Sequence, residues 1–280
     1  MKRFTKRKAK MTKSEITKIT TQKQKGRYNI FVDDEYAFSV GESVLIRYRL
    51  AKGLEVTPEL RKQLEDADHF SRAYQLALHY LEHQLRTRWE IQKYLRDHEV
   101  SPAYQKQILY QLAEMGYVDD LHYAKSYVRT AANTSTKGPT VIRRKLREKG
   151  VKDDVIDAAM QEFQSDKRRE NGLKLAQKLA KRYHRRSFVD QKRRVKQGLM
   201  TNGFSGDDAT AIMEKLDLER DENAEDSALA TEGEKVYRRY ARRYEGRERD
   251  QKIKQALYRK GFTLGDINSF LAQKEDQNDN

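Results

Sequence analysis

The sequence predicts a mainly α protein, built as tandem three-helix repeats in an elongated curved array with a small β segment at its N-terminus. Three observations predict it. A set of apolar positions recurs four times, anchored on Val100, Val151, Phe204 and Phe262 at spacings of 51, 53 and 58 residues. Hydrophobic residues make up only 37% of the 280 residues and charged residues 36%, where one compact globule has roughly 45–50% apolar content, so several small cores fit better than one thick core. The chain has only three prolines, Pro58, Pro102 and Pro139, each behind a helix-capping residue (Thr57, Ser101, Gly138). At the first helical position the missing proline N–H costs nothing, so none of the three breaks a helix.

Residues 1–13 carry seven Lys/Arg and no acid, the pattern of a basic flexible arm. Residues 14–41 then read as a β segment. EITKITTQ, RYNIFV and EYAFSV are rich in β-branched and aromatic residues and are separated by KQKG and the Asp33-Asp34 pair, which suit turns. Connecting helices are expected at 42–69. Three-helix repeats follow at 70–117, 118–165, 166–218 and 233–275, with an acidic linker at 219–232 between the last two.

Each repeat is justified by position. Nine residues before the anchors stand Ile91, Ile142, Val195 and Ile253, and five before stand Leu95, Leu146, Leu199 and Leu257. Eight after come Ile108, Ala159, Ile212 and Phe270, and nine after come Leu109, Met160, Met213 and Leu271. Spacings of four and about eight place each set on one helical face. Gly150, Gly203 and Gly261 precede three of the anchors, at the helix-ending position where a left-handed backbone is cheapest. Glu99 stands there in the first copy, and a looser turn is expected. Ser101, Ser205 and Thr263 then cap a further helix, with Asp153/Asp154, Asp207/Asp208 and Asp266 near its positive end. Upstream of each pair lies a third periodic stretch: Tyr74–Leu85, Tyr123–Thr130, Leu173–Tyr183 and Val236–Tyr244. Four units this short bury their faces on their neighbours, as in other tandem arrays.

The charge map narrows function. Lys+Arg number 58 against 43 Asp+Glu, a formal net charge of +15, and the excess is local. Residues 167–200 hold thirteen Lys/Arg against two acids, residues 235–260 eleven against three, and residues 207–234 eleven acids against two bases. Helical stripes of Lys174, Lys178, Lys181 and Arg185, and of Arg238, Arg239, Arg242 and Arg243, lie beside apolar stripes of Leu175, Leu179, Tyr183 and Val236, Tyr240, Tyr244. Arg143, Arg144 and Arg147 stand outward of Ile142 and Leu146, and Arg193 and Arg194 add to the 167–200 cluster. Charge runs are usually solvated faces. Like charges four apart nonetheless oppose the helix by a few tenths of a kcal/mol each, so stripes this deep call for a polyanionic partner. Phosphate contacts of this kind are salt-dependent and blind to base sequence. The tyrosines, such as Tyr80, Tyr183 and Tyr240, fall on apolar stripes and read as core before they read as base-stacking platforms.

Catalytic patterns are absent. His79 and His83 lie one turn apart in HYLEH, without the glutamate of a zinc helix motif and without a third ligand. Asp33-Asp34-Glu35 is explained by a hairpin turn and Asp119-Asp120 by a helix start. Gly198 and Gly203 have the spacing of a phosphate loop, but Phe204-Ser205 stands where Lys-Ser/Thr is required. With no cysteine, thiolate chemistry and disulfides are excluded. No apolar run reaches the roughly 18 residues of a membrane span, and no secretory signal opens the chain. A cytoplasmic non-enzyme without cofactor, metal or catalytic residue is expected.

Two stretches carry a family likeness: LRTRWEIQKYLRDHEV with QILYQLAEMGYVDDLHYAKSYVR, within 85–129, which holds a Gly-Tyr-x-Asp-Asp step, and KGPTVIRRKLREKGV at 137–151, with its Lys-Gly-Pro, Ile, Leu, Lys-Gly series. Both resemble the RecX family, bacterial modulators of the RecA recombinase. The likeness extends over about 14–275. It implies a repeat protein without enzymatic activity that binds the RecA filament on single-stranded DNA; a monomer is expected. It also implies that the protein lowers RecA ATP hydrolysis, strand exchange and co-protease activity, with roles in DNA repair, homologous recombination and the SOS response. On this reading the thirteen basic residues named above are the candidate RecA and DNA contacts, and Arg143, Arg144 and Arg147 reversed to Glu are expected to abolish the effect without unfolding the chain. The residues alone also fit a sequence-independent nucleic-acid-binding architectural protein, or a scaffold for an acidic protein.

Overall fold

The protein is seen here as a computed structural model that describes residues 14–278; the basic arm expected at 1–13 lies outside the described residues. The chain divides after Asp120 into two compact bodies.

The first body begins with a three-stranded antiparallel sheet in the order β1 (Ile16–Thr21), β2 (Arg27–Val32), β3 (Glu35–Gly41). Asp33 and Asp34 take φ of 52° and 67°, the paired left-handed residues that a two-residue hairpin needs. Ile16, Ile30, Phe38 and Val40 point to a small core shared with Val44, Leu50, Val56 and Leu64. Each sheet edge is partly covered, at the start of β1 and along β3, which shortens the open backbone that invites strand addition. Segment 53–56 covers β1, with Val56 N–H donating to Ser14 O at 2.7 Å and Ile16 N–H to Leu54 O at 2.9 Å. Side chains cover β3: Arg61 donates to Ala37 O, Arg27 to Ser39 O, and Asp68 accepts Gly41 N–H at 2.7 Å. Asp68 is buried and takes both Nη atoms of Arg27 at 3.0 Å.

Helix α1 (Glu42–Arg47) leads to α2 (Pro58–Leu81). This helix is continuous through residues 69 and 70, because neither proline nor glycine interrupts it; its N-terminal half packs Leu64 on the sheet core and its C-terminal half opens repeat 1 with Ala73 and Ala77. Repeat 1 is completed by α3 (Arg88–Asp97) and α4 (Pro102–Glu114). The second body holds repeat 2 as α5 (Asp120–Thr134), α6 (Pro139–Glu148) and α7 (Asp153–Met160), and repeat 3 as α8 (Ser165–Tyr183), α9 (Phe188–Thr201) and α10 (Gly206–Leu216). Repeat 4 is α11 (Glu222–Ala241), α12 (Gly246–Arg259) and α13 (Leu264–Asn278). From Glu222 onward the acidic segment is therefore helix and not linker. Asp221 caps it by accepting Ala224 N–H at 3.1 Å, Glu222 and Glu225 sit at its positive end, and Ala228 and Leu229 are buried.

Each repeat has a separate core. Ile91, Ile142, Val195 and Ile253, with Leu95, Leu146, Leu199 and Leu257, are all fully buried. After the second helix of every repeat comes the same turn. Val100, Val151, Phe204 and Phe262 donate N–H to the leucine carbonyl five residues back at 3.0, 3.1, 3.2 and 3.3 Å. The preceding residue closes a shorter ring three residues back at 2.9–3.0 Å. These are Schellman turns. Glu99 adopts φ of 60° beside 73°, 94° and 93° for Gly150, Gly203 and Gly261 and makes the same bonds, so the first turn is strained rather than looser: the flanking helices hold a side chain where glycine is cheapest.

Within the second body the repeats join through these turns. Gly138 N–H donates to Asn202 O at 2.8 Å and Thr140 N–H to Gly203 O at 3.1 Å; a Cβ on Gly203 would lie 2.6 Å from Val141 N. At the next joint Ser187 Oγ donates to Lys260 O, and a Cβ on Gly261 would meet that hydroxyl at 2.8 Å. In both, the N-terminus of one repeat's second helix seats on the next repeat's turn.

Two substitutions test this account by urea denaturation. Glu99→Gly relieves left-handed strain of about 1–2 kcal/mol against about 0.5–1 kcal/mol of extra glycine entropy, and is expected to stabilise by roughly 0.5–1 kcal/mol. Asp68→Ala leaves the Arg27 guanidinium unpaired and is expected to destabilise by about 3–5 kcal/mol.

Candidate nucleic-acid interface

The cationic stripes run to the C-terminal ends of the first helices of repeats 3 and 4, where Lys181 and Arg182 lie in the last turn of α8, Arg242 caps α11 and Arg243 lies just beyond it. Helix α8 buries Leu175, Ala176, Leu179 and Ala180 on one face, and α11 buries Gly233 and Val236. Two glycines set the register between them. Gly172 abuts Ile212 and Gly233 abuts Phe270, which are the matching residues of the two third helices; a side chain at either glycine would collide with them. This register equates Leu175 with Val236, Leu179 with Tyr240 and Tyr183 with Tyr244.

The same register equates Lys178 with Arg239, Lys181 with Arg242 and Arg182 with Arg243. All six are exposed, and none forms an ion pair among the described residues. Arg182 was not among the candidate contacts read from the sequence; the glycine register is the signal that finds it. Burial of Ala73 and Ala77 in α2 and of Ala124 and Val128 in α5 extends the register. The matching positions are His79, Glu82 and His83 in repeat 1 and Thr130, Asn133 and Thr134 in repeat 2. The unpaired cationic trio thus belongs to repeats 3 and 4.

Other candidate cations are committed within the fold. Lys174 holds Glu170 at 2.5 Å, with Lys167 on the same carboxylate at 3.1 Å; the Lys174 hydrogen bond is the largest of the contacts that keep Glu170 below the usual carboxylate range. Arg238 pairs with Glu234 at 2.9 Å, and Lys274 holds the same carboxylate at 2.7 Å. Arg193 and Arg194 converge on buried Asp190, the latter at 2.7 Å. Burial works to raise that carboxyl, but the two arginine hydrogen bonds outweigh it and hold it low. In repeat 2, Arg143 pairs with Asp157 and Arg147 with Asp153 at 2.6 Å, both across the α6–α7 turn, while Arg144 stands 3.7 Å from Glu148. Arg185 is exposed beyond the end of α8 and meets Gly246 in the register, so it has no cationic counterpart in repeat 4.

Half-buried Tyr80, Tyr183 and Tyr240 pack on the cores of repeats 1, 3 and 4. His79 Nδ1 lies 2.8 Å from Glu82. Among the described residues no group of three or more His, Asp or Glu is placed to hold a metal ion, and no helix is long and apolar enough to cross a membrane.

Family models match along the chain in order. The Regulatory protein RecX N-terminal domain matches residues 14–57, the first RecX three-helix domain 73–112 and the second 119–160. The third matches twice, at 166–213 and 224–271. A protein named Regulatory protein RecX from Levilactobacillus brevis is 48% identical over 257 residues, covering 92% of this chain and 96% of that one. The chain belongs to the RecX family. A RecX of the same name from Limosilactobacillus reuteri is 42% identical over 94% of this chain and 100% of its own length. A crystal structure of regulatory protein RecX superposes with a TM-score of 0.66 at 41% identity, over 72% of this chain and 99% of that one; RecX from Lactobacillus salivarius gives 0.53 at 40%, over 55% and 99%. The double match of the third RecX domain falls on the two repeats that carry the cationic trio.

The joint between those repeats holds a buried carboxylate, Glu225, which accepts Phe188 N–H at 2.6 Å. Burial, the largest influence, pushes it above its usual range against that hydrogen bond. A raised carboxyl binds its proton earlier in the folded chain, so its contribution to stability grows as pH falls from neutral and is lost as pH rises through the folded value. Glu225→Gln keeps an acceptor for Phe188 without the buried charge. Thermal melts at pH 7 and pH 5 are expected to show the variant more stable at pH 7, with the advantage shrinking at pH 5.

Proposed function

We propose that the chain is a cytoplasmic, non-enzymatic regulator that binds the RecA filament on single-stranded DNA and lowers RecA ATP hydrolysis, strand exchange and co-protease activity. The family supports regulation. The observation that carries the contact surface is the trio of unpaired cations repeated at matching positions, Lys178/Lys181/Arg182 and Arg239/Arg242/Arg243. Spaced three and four apart, the like charges of each trio repel one another, and none of the six forms an ion pair with a described acid. An external polyanion does so, with release of counterions and no base preference. Of the thirteen basic residues named at the outset, Lys178, Lys181, Arg239, Arg242 and Arg243 remain the leading contacts and Arg182 joins them. Lys174, Arg193, Arg194 and Arg238 shape the surface around them, and Arg144 and Arg185 stand at its margin. Arg143 and Arg147 serve first as clamps between α6 and α7.

The test is DNA-dependent ATP hydrolysis by RecA at protein levels too low to coat the DNA. Reversing Lys178, Lys181 and Arg182 to Glu, or Arg239, Arg242 and Arg243 to Glu, is expected to raise the concentration for half-inhibition by about tenfold or more, as lost phosphate contacts do. Undiminished inhibition by both triple variants would sink the assignment. Inhibition that appears only at coating ratios and is relieved by added DNA would mark the protein as an architectural DNA binder instead.

A further inference from the structure

In repeats 3 and 4 the surface formed by the first helix and the Schellman turn is covered by the preceding repeat. Asn171 donates to Ala132 O of repeat 2 at 2.7 Å, Asn202 O accepts Gly138 N–H, and Gly203 and Gly261 sit against Val141 and Ser187. The glycine register places His69 and Arg72 at the positions of Arg168 and Asn171, and the turn places His98 and Glu99 at those of Asn202 and Gly203. No three-helix repeat precedes repeat 1 in the described chain. There the surface stands open as a cleft of about 440 Å3 lined by His69, Arg72, Leu76, His98, Glu99 and Tyr104, within the size range of small-ligand sites.

Its chemistry is not that of a joint. A Cβ at Gly203 would lie 2.6 Å from Val141 N, and one at Gly261 2.8 Å from Ser187 Oγ. Glu99 carries that Cβ and a charged, exposed side chain beyond it, so a helix N-terminus cannot seat here as it does in repeats 3 and 4. A ladder of planar groups leads to the cleft. The Arg86 guanidinium lies 4.1 Å from the Tyr80 ring. Tyr80 stacks on Tyr94 at 4.0 Å with 3° between planes, and Tyr94 meets His98 at 4.2 Å and 45°. His98 Nδ1–H donates to Tyr94 O at 2.8 Å, which fixes the orientation of this last, exposed ring. Tyr104 is held as a wall by edge-on contact with Phe70 at 5.6 Å and by its hydroxyl donating to Asp66 O at 3.2 Å. Arg72 is exposed and has no ion-pair partner among the described residues.

We infer that this cleft binds one nucleotide of a single strand by its base. The base extends the ladder on His98, as bases do on exposed aromatic planes. Arg72 takes the adjoining phosphate, and the Glu99 carboxylate accepts from an exocyclic amine, which favours cytosine, adenine or guanine over thymine. The cleft shares no residue with the two cationic trios, so the site adds a base contact to a chain whose other candidate contacts read only phosphate.

The test is photo-crosslinking of the full chain to a short single strand carrying 5-iododeoxycytidine, at salt high enough to suppress phosphate-only binding, with peptide mapping. Crosslinks are expected at residues 98–104. They should fall about tenfold in His98→Ala, consistent with loss of one stacked base, and fall likewise in Arg72→Gln through loss of the phosphate contact, while the thermal midpoints of both variants stay at the wild-type value. Crosslinks confined to repeats 3 and 4, or unaltered in both variants, overturn the inference. So does a variant that loses inhibition of RecA ATP hydrolysis with crosslinking intact, since the cleft would then hold protein. Wild-type inhibition of RecA, measured in parallel, separates failure of this site from failure of the filament reading.

Discussion

The left-handed residue between the second and third helices of each repeat is the constraint from which the rest follows. It lets the chain reverse within the two bonds of a Schellman turn, so the apolar anchor after it folds back on the leucine five residues earlier and closes a core of about a dozen side chains. In repeats 3 and 4 the same residue is glycine for a second reason. The preceding repeat's helix N-terminus comes so close that a Cβ would strike backbone or hydroxyl. One position thus governs the turn within a repeat and the seam between repeats.

The seam also explains where polar groups are buried. A helix N-terminus has N–H groups without intrahelical partners; between repeats 2 and 3 those at Gly138 and Thr140 meet carbonyls of the next turn, and between repeats 3 and 4 side chains complete the joint. Ser187 serves both sides, accepting Asp190 N–H at 3.3 Å while donating to Lys260 O. Glu225 reaches Phe188 N–H from the neighbouring repeat. Such bonds contribute modestly when made and are expensive to leave unmade, so they specify which surfaces meet more than they add stability. Repeat 1 departs from the pattern at this position, and its turn surface is accordingly free for other use.

Charge is divided by the same register. Acids one turn away or across a short loop hold Lys174, Arg238, Arg143 and Arg147 in ion pairs of the exposed kind, which contribute little to stability. Lys178, Lys181 and Arg182, with their counterparts Arg239, Arg242 and Arg243, are exposed and form no ion pair with a described acid. The proposed contact surface is therefore a remainder: cations that folding leaves unpaired.

Helix content, the hairpin turn at Asp33-Asp34, the three proline starts and the buried positions of all four repeats were legible in the residues, because periodicity, caps and turn chemistry act over a few neighbours in the chain. The family likeness was legible too. Three things were not. The acidic stretch after Asp221 looked like a linker but is helix, since its acids favour a helix start and its two buried apolar residues have partners only after folding. Glu99 looked like a loosened turn but is held left-handed by the helices on either side. Above all, the basic residues looked alike along their stripes. Pairs three or four apart on one helix, such as Arg194 with Asp190, can be looked for in the residues, but Asp157 and Asp153 reach Arg143 and Arg147 only because the α6–α7 turn brings them there, and pairing across a turn leaves no periodic mark in a sequence.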